Sequence, residues 1–140
     1  MTIEKDPHHA AVAEENICRA GLSDRVEIRN GLALEISPEL QQKFANSFDF
    51  MFIDADKEND VEYMKWALRL CRPGAMVVVD NVIRFGGVLD PDSVQRDPGA
   101  RGSRDLFEFI STHPMLDATA IQTVGEKGWD GFALVVIKPD

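Results

Sequence analysis

No glycine precedes Gly21, two cysteines occur in 140 residues, and basic side chains are outnumbered by acidic ones. The first lack excludes a glycine-rich turn that cradles phosphates anywhere before residue 21. The second leaves no metal spacing to work with. Cys18 and Cys71 stand far apart, with no CxxC or Cys/His pattern around them. They read as buried free thiols in a reducing compartment. Lys plus Arg is 15 against 24 for Asp plus Glu, a formal charge of −9 that repels phosphate backbones and anionic membranes. The densest basic stretch, Arg96 to Arg104, is interrupted by Asp97. Nucleic acid and membrane are therefore not expected partners. No secretory segment opens the chain and no apolar run approaches a membrane span of about 18 residues. The expected location is the cytoplasm.

What is present is a chain of ordinary globular composition, 44% hydrophobic and 28% charged, of a length that suits one domain over residues 1–140. Strand-like and helix-like segments alternate. Met1 to Ile3 reads as the stub of a strand. Asp6 and Pro7 open a helix that Gly21 closes, with Ala10, Ala13, Ile17 and Ala20 as its buried stripe. Residues 25–29 form a short strand, and Ser37 with Pro38 starts a second helix ending near Phe44. The nearly continuous apolar runs 48–53 and 75–79 predict strands buried on both faces of a parallel sheet. Between them a helix is expected over 59–70, with Tyr63, Trp66 and Leu70 in its core face. Residues 84–100 read as a long loop and 103–112 as the last helix. Strands over 119–124 and 132–137 then close an antiparallel hairpin through a turn that includes Lys127. The sum is a three-layer α/β sandwich with an antiparallel edge.

In such sheets ligands bind beyond the carboxyl ends of the strands. Three of those ends carry acids: Glu4, Asp54 with Asp56, and Asp80 with Asn81. Asp54, Asp80 and Asn81 offer only oxygen donors, the set for Mg²⁺, or for Ca²⁺ or Mn²⁺, and not for structural zinc. Lys57 lies three residues after Asp54. Beside a divalent cation its ammonium form is disfavoured, which suits a general base; the plain alternative is a surface lysine paired with an acid. Glu4 reads either as an acid for ribose hydroxyls or as a solvated glutamate. His8 and His9 are adjacent and so diverge on a helix, which removes them as a metal pair. Phe85 and Trp129 are weaker candidates for the wall of a substrate mouth.

Four runs carry a resemblance: residues 3–10 (IEKDPHHA), 52–57 (FIDADK), 80–82 (DNV) and 127–132 (KGWDGF). In this order and over essentially the whole chain, they are similar to the cation-dependent caffeoyl-CoA and catechol O-methyltransferases, the small bacterial members above all. The resemblance implies a Rossmann-like class I methyltransferase sandwich with an antiparallel terminal hairpin. It implies S-adenosylmethionine as cofactor, with Glu4 on its ribose, Ala33 in the loop after Gly31 against its adenine, and Asp54 also at its site. Asp54, Asp80 and Asn81 would hold the cation, and Lys57 would be the base for a small catechol-like or hydroxylated aromatic acceptor.

The ribose acid of nucleotide-binding folds follows a glycine-rich turn by about 20 residues. Counting back from Glu4 leaves the chain, so the first strand and the glycine-rich loop of the family have no counterpart in it. A truncated gene product is the leading expectation, ahead of a fragment of a longer protein and of an oligomer in which a partner strand completes the sheet. Open apolar edges predict a homodimer or higher homo-oligomer. The competing function is a catalytically inactive remnant that folds and self-associates without productive cofactor binding. A phospho-receiver domain would also place acids and a lysine at strand ends. It fails here because Arg29 and Asn30 stand where the phosphoacceptor is needed.

Overall fold

The computed structural model describes residues 1–126 and 128–139; Lys127, in the predicted hairpin turn, lies outside the described residues. The chain divides into two compact units, Met1–Lys43 and Phe44–Asp140.

The first unit is a β–α–β arrangement followed by a helix. Strand β1 (Thr2–Glu4) runs parallel to β2 (Ile28–Asn30), with Glu4 opposite Asn30. Helix α1 (Pro7–Arg19) connects them, and Asp6 caps it by accepting from the N–H groups of His8 and His9. Those two bonds hold the Asp6 carboxyl below the usual carboxylate range. Of the expected stripe, Ala10 is buried while Ala20 is exposed; Cys18 is exposed too, contrary to expectation.

Helix α2 spans Ala33–Phe44 and begins five residues before Pro38, its expected first position. Pro38 is inside it, near enough to the N-terminus that its missing N–H costs one bond and not the helix. Ser37 is not the cap: its hydroxyl donates back to the carbonyl of Ala33 at 2.6 Å.

In the second unit a four-stranded sheet has the order β3-β4-β6-β5, from β3 (Phe48–Ile53), β4 (Cys71–Val79), β5 (Leu116–Gly125) and β6 (Gly128–Ile137). The β3–β4 pair is parallel and the other two pairs are antiparallel, so the terminal hairpin is as expected. Helix α3 (Asp60–Leu70) links β3 to β4, and α4 (Pro91–Arg96) and α5 (Pro98–Thr112) precede the hairpin. One sheet face buries Ile53, Val77, Val79, Ala133 and Val135 with Met64, Ala67, Leu106 and Ile110 of the helices. The opposite face leaves Phe50 (54%), Phe52 (55%), Met76 and Val136 exposed, so β3 is not buried on both faces as its composition suggests. Trp66 is not core either. It is half-buried under the guanidinium of Arg69, 4.6 Å from its ring.

The predicted loop 84–100 is more ordered than expected. A short 3₁₀ turn occupies Arg84–Gly86, Asp90 and Pro91 open α4, and Asp97 and Pro98 open α5 five residues before Ser103.

Candidate functional site

Register decides the centre of the site. Ile53 pairs with Val79 at the ends of parallel neighbours, and the Asp80 N–H donates to the Ile53 carbonyl at 3.0 Å. Asp54 and the Asp80–Asn81 pair therefore emerge side by side from adjacent strand ends. The chain then turns sharply: Asn81 has φ 54°, a left-handed conformation that asparagine tolerates better than most residues. Its N–H donates to Asp80 Oδ1 at 2.8 Å.

Lys57 begins the 3₁₀ turn Lys57–Asn59 and is 8% exposed, while Asp54 is 52% exposed. Its Nζ reaches Asp54 Oδ1 at 3.4 Å. Asp56 turns to structural partners, accepting from Tyr63 Oη at 2.7 Å and from Asn59. Tyr63 is held above the usual phenol range by its burial and by that bond.

The structure thus brings together Asp54, Lys57, Asp80 and Asn81. Among the described residues no group of three or more His, Cys, Asp or Glu is arranged to hold a metal ion. The set here is two carboxylates and an amide oxygen, which matches a hard cation that keeps several waters. Each carboxylate accepts at two oxygens, so Asp54 and Asp80 retain acceptor capacity beyond the bonds to Lys57 and Asn81.

The weaker candidates lie on two segments that touch, the 84–86 turn and β6. Arg84 and Phe85 both have positive φ, 54° and 53°, a strained pair in side chains that avoid that region. The strain is held by interlocking contacts. A Cβ on Gly128 would lie 2.6 Å from the Phe85 ring, and one on Gly86 would lie 2.9 Å from the Trp129 ring. Phe85 is 61% exposed and Trp129 37%. Trp129 is not in a turn as expected, but in β6 opposite Val124.

Asp130 fastens this loop. Its Oδ1 accepts from the N–H groups of Ile83, Arg84 and Gly131 at 2.9–3.0 Å. In the sequence Asp130 stands inside the 127–132 motif with nothing to mark this role. Asp60 carries no signal in the sequence, and Ser103 stands there only as a helix start. Both are fully buried, and the Asp60 carboxylate oxygens and the Ser103 hydroxyl have no hydrogen-bond partner. An acid at a helix start is ordinarily a solvated one, so nothing in the sequence signals this burial. It pushes the Asp60 carboxyl up to about 7, with the Lys57 charge opposing.

In the first unit, Glu4 ends β1. Its Oε1 accepts from the Asp6 N–H at 2.8 Å, and its carbonyl accepts from Gly31 and Asn30. Ala33 is the first residue of α2 and not part of a loop, because the Leu32 carbonyl already accepts from Glu35 and Ile36. His8 and His9 stand in the first turn of α1, exposed.

A family model described as O-methyltransferase matches residues 1–126. The chain belongs to the O-methyltransferase family. A catechol O-methyltransferase of Mycobacterium tuberculosis is 52% identical over 138 residues, covering 99% of this chain and 60% of that protein. One from Niastella koreensis is 49% identical over 138 residues, covering 99% and 62%. The crystal structure of an O-methyltransferase from Bacillus cereus in complex with SAH superposes with a TM-score of 0.91 at 47% identity, over 97% of this chain and 61% of that one. This O-methyltransferase chain therefore spans about 60% of the length of the relatives it matches, and its α/β fold is that of the Rossmann-like class I methyltransferases. Among the described residues, no helix is long and apolar enough to cross a membrane.

Proposed function

We propose that the chain carries the cation and base site of an S-adenosylmethionine-dependent O-methyltransferase that acts on a small catechol-like or hydroxylated aromatic acceptor. The observation that carries this reading is the Ile53–Val79 register, which sets Asp54 beside Asp80 and Asn81 with a nearly buried Lys57 against Asp54. Asp54, Asp80 and Asn81 would hold a divalent cation, Mg²⁺ by donor chemistry. When bound, S-adenosylmethionine supplies an electrophilic sulfonium methyl and the cation supplies Lewis-acid polarisation of an acceptor hydroxyl.

The protein's own part is placement and proton transfer. In its neutral amine form Lys57 Nζ takes the hydroxyl proton of the acceptor and becomes the ammonium, and its burial keeps bulk water from competing for that position. Phe85 and Trp129 offer ring surface to an aromatic acceptor beside the loop that starts at Asn81. In the first unit, Glu4 would accept from ribose hydroxyls at the carboxyl end of β1 and Ala33 would pack on the adenine.

The test is methylation of catechol with S-adenosylmethionine and Mg²⁺ by the chain and by Lys57→Ala. The expected result is turnover that the substitution lowers by about 10²–10⁴-fold. An active chain whose Lys57→Ala variant keeps full rate contradicts the base. A second reading, a folded chain that binds Mg²⁺ without productive cofactor binding, draws support from β1 and β3, each laddered on one side only among the described residues. Calorimetric titration with S-adenosylmethionine separates the two: heat supports the enzyme, and metal heat without cofactor heat supports the second.

A further inference from the structure

Lys57 is held by a residue 45 positions away in the chain. Gly102 lies inside α5, where glycine is the poorest helix former after proline. Its missing side chain is what lets α5 lie directly on the Lys57–Asn59 turn. A Cβ at residue 102 would fall on the Lys57 carbonyl oxygen, 2.7 Å from the Lys57 carbonyl carbon and 2.9 Å from Glu58 Cα. Every one of those atoms is backbone, so no rotamer change relieves the overlap. The same Lys57 carbonyl accepts the N–H of Asp60. The backbone of the candidate base is thus gripped between α5 and the start of α3. Asp60 and Ser103, both with no exposed surface, lie on those two flanking elements. The side chain of Lys57 leaves this seat almost wholly covered and ends at Asp54 Oδ1.

We propose that Gly102 is a positioning residue for Lys57: by admitting the backbone of the 57–59 turn to direct contact with α5, it fixes where Nζ stands relative to Asp54. This rests on the reading of Lys57 as the base and extends it to the element that aims it. A purely structural glycine would be a packing requirement whose loss loosens the whole second unit. A positioning glycine has a local effect, confined to Lys57. Placement errors of about 1 Å are enough to cost a catalytic group about a hundredfold.

The experiment is competitive acetylation of the full chain with a water-soluble N-hydroxysuccinimide ester, read lysine by lysine from peptide masses. Wild type is compared with Gly102→Ala and with Gly125→Ala, whose added Cβ meets nothing within 4 Å. Lys43 and Lys65, both on helices with their amines paired to exposed acids, are internal standards. In wild type Lys57 should react about tenfold slower than Lys65, as its burial dictates. In Gly102→Ala the Lys57 rate should rise about threefold or more with both standards unchanged, and Gly125→Ala should match wild type. A folded Gly102→Ala with an unchanged Lys57 rate overturns the proposal, and so does a Lys57 rise accompanied by faster amide exchange throughout β3, β4 and β6, which marks a loosened second unit.

Should Gly102→Ala not fold, amide exchange of wild type decides. Protection of residues 57–60 within about tenfold of α5 supports the seat, and exchange at open-loop rates overturns it. The base reading fails separately, in Lys57→Ala. A changed acetylation pattern with a fully active Lys57→Ala keeps the seat and removes the base.

Discussion

Asp60 is where a single side chain governs the behaviour of the molecule most. A carboxyl with no exposed surface and no hydrogen-bond partner resists ionisation, and burial raises it from 3.8 to about 7. A folded-state value above the unfolded one means that the folded protein binds the proton more tightly. The associated stability is present in full below about pH 4 and is lost as pH rises through about 7. Across that window the loss is about 4 kcal/mol at most. Asp60→Asn keeps the shape and removes the charge. Denaturant midpoints should therefore show the variant more stable than wild type at pH 8 and close to it at about pH 4. Equal differences at both pH values would mean that Asp60 does not titrate in this range. The same scale explains the two thiols: Cys71 is buried, with its thiol pushed up to about 11, while Cys18 is exposed.

At the scale of elements, the loop between β4 and α4 and the β5–β6 hairpin behave as one clamp, because three N–H groups of Ile83, Arg84 and Gly131 converge on one oxygen of Asp130. Asp130→Ala leaves those donors without their acceptor and releases the positive-φ pair Arg84–Phe85. The expected cost is about 1–3 kcal/mol, read in the denaturant midpoint. A second expected effect is faster amide exchange over residues 83–87, with α3 unchanged.

Much of this level was legible in the sequence and some was not, for identifiable reasons. Asp6-Pro7 announced α1 correctly. The same Asp-Pro signal at Asp90-Pro91 and Asp97-Pro98 opens α4 and α5 but is outweighed by the surrounding glycines, so α4 and the first turn of α5 read as loop. Pro38 misled in the opposite direction, since a proline can stand in a helix that neighbouring bonds have already nucleated. Strand ends Ile53 and Val79 were legible because apolar runs stop sharply there, and with them Asp54, Asp80 and Asn81. Gly102 and Asp60 were not legible. Their roles depend on α5 touching the 57–59 turn, a contact between residues far apart in sequence.

At the scale of the whole molecule, exposed apolar surface and open strand edges set the expectations. Phe50, Phe52 and Met76 stand exposed on neighbouring strands, and β3 pairs with β4 alone among the described residues. An edge of that kind, without Lys or Pro on it, invites pairing with another chain. Size-exclusion chromatography with light scattering should show self-association. Phe50→Lys with Phe52→Lys should shift the population toward monomer, whereas a wild-type monomer at all concentrations would exclude it.

On the proposed reading, Asp54, Asp80 and Asn81 would make one oxygen-donor site beside Lys57. Isothermal calorimetry with Mg²⁺ alone tests it most directly, without substrate or cofactor. A saturable one-site binding heat in wild type that disappears in Asp80→Ala is the predicted result. No saturable heat in wild type, or the same heat in Asp80→Ala, would contradict it.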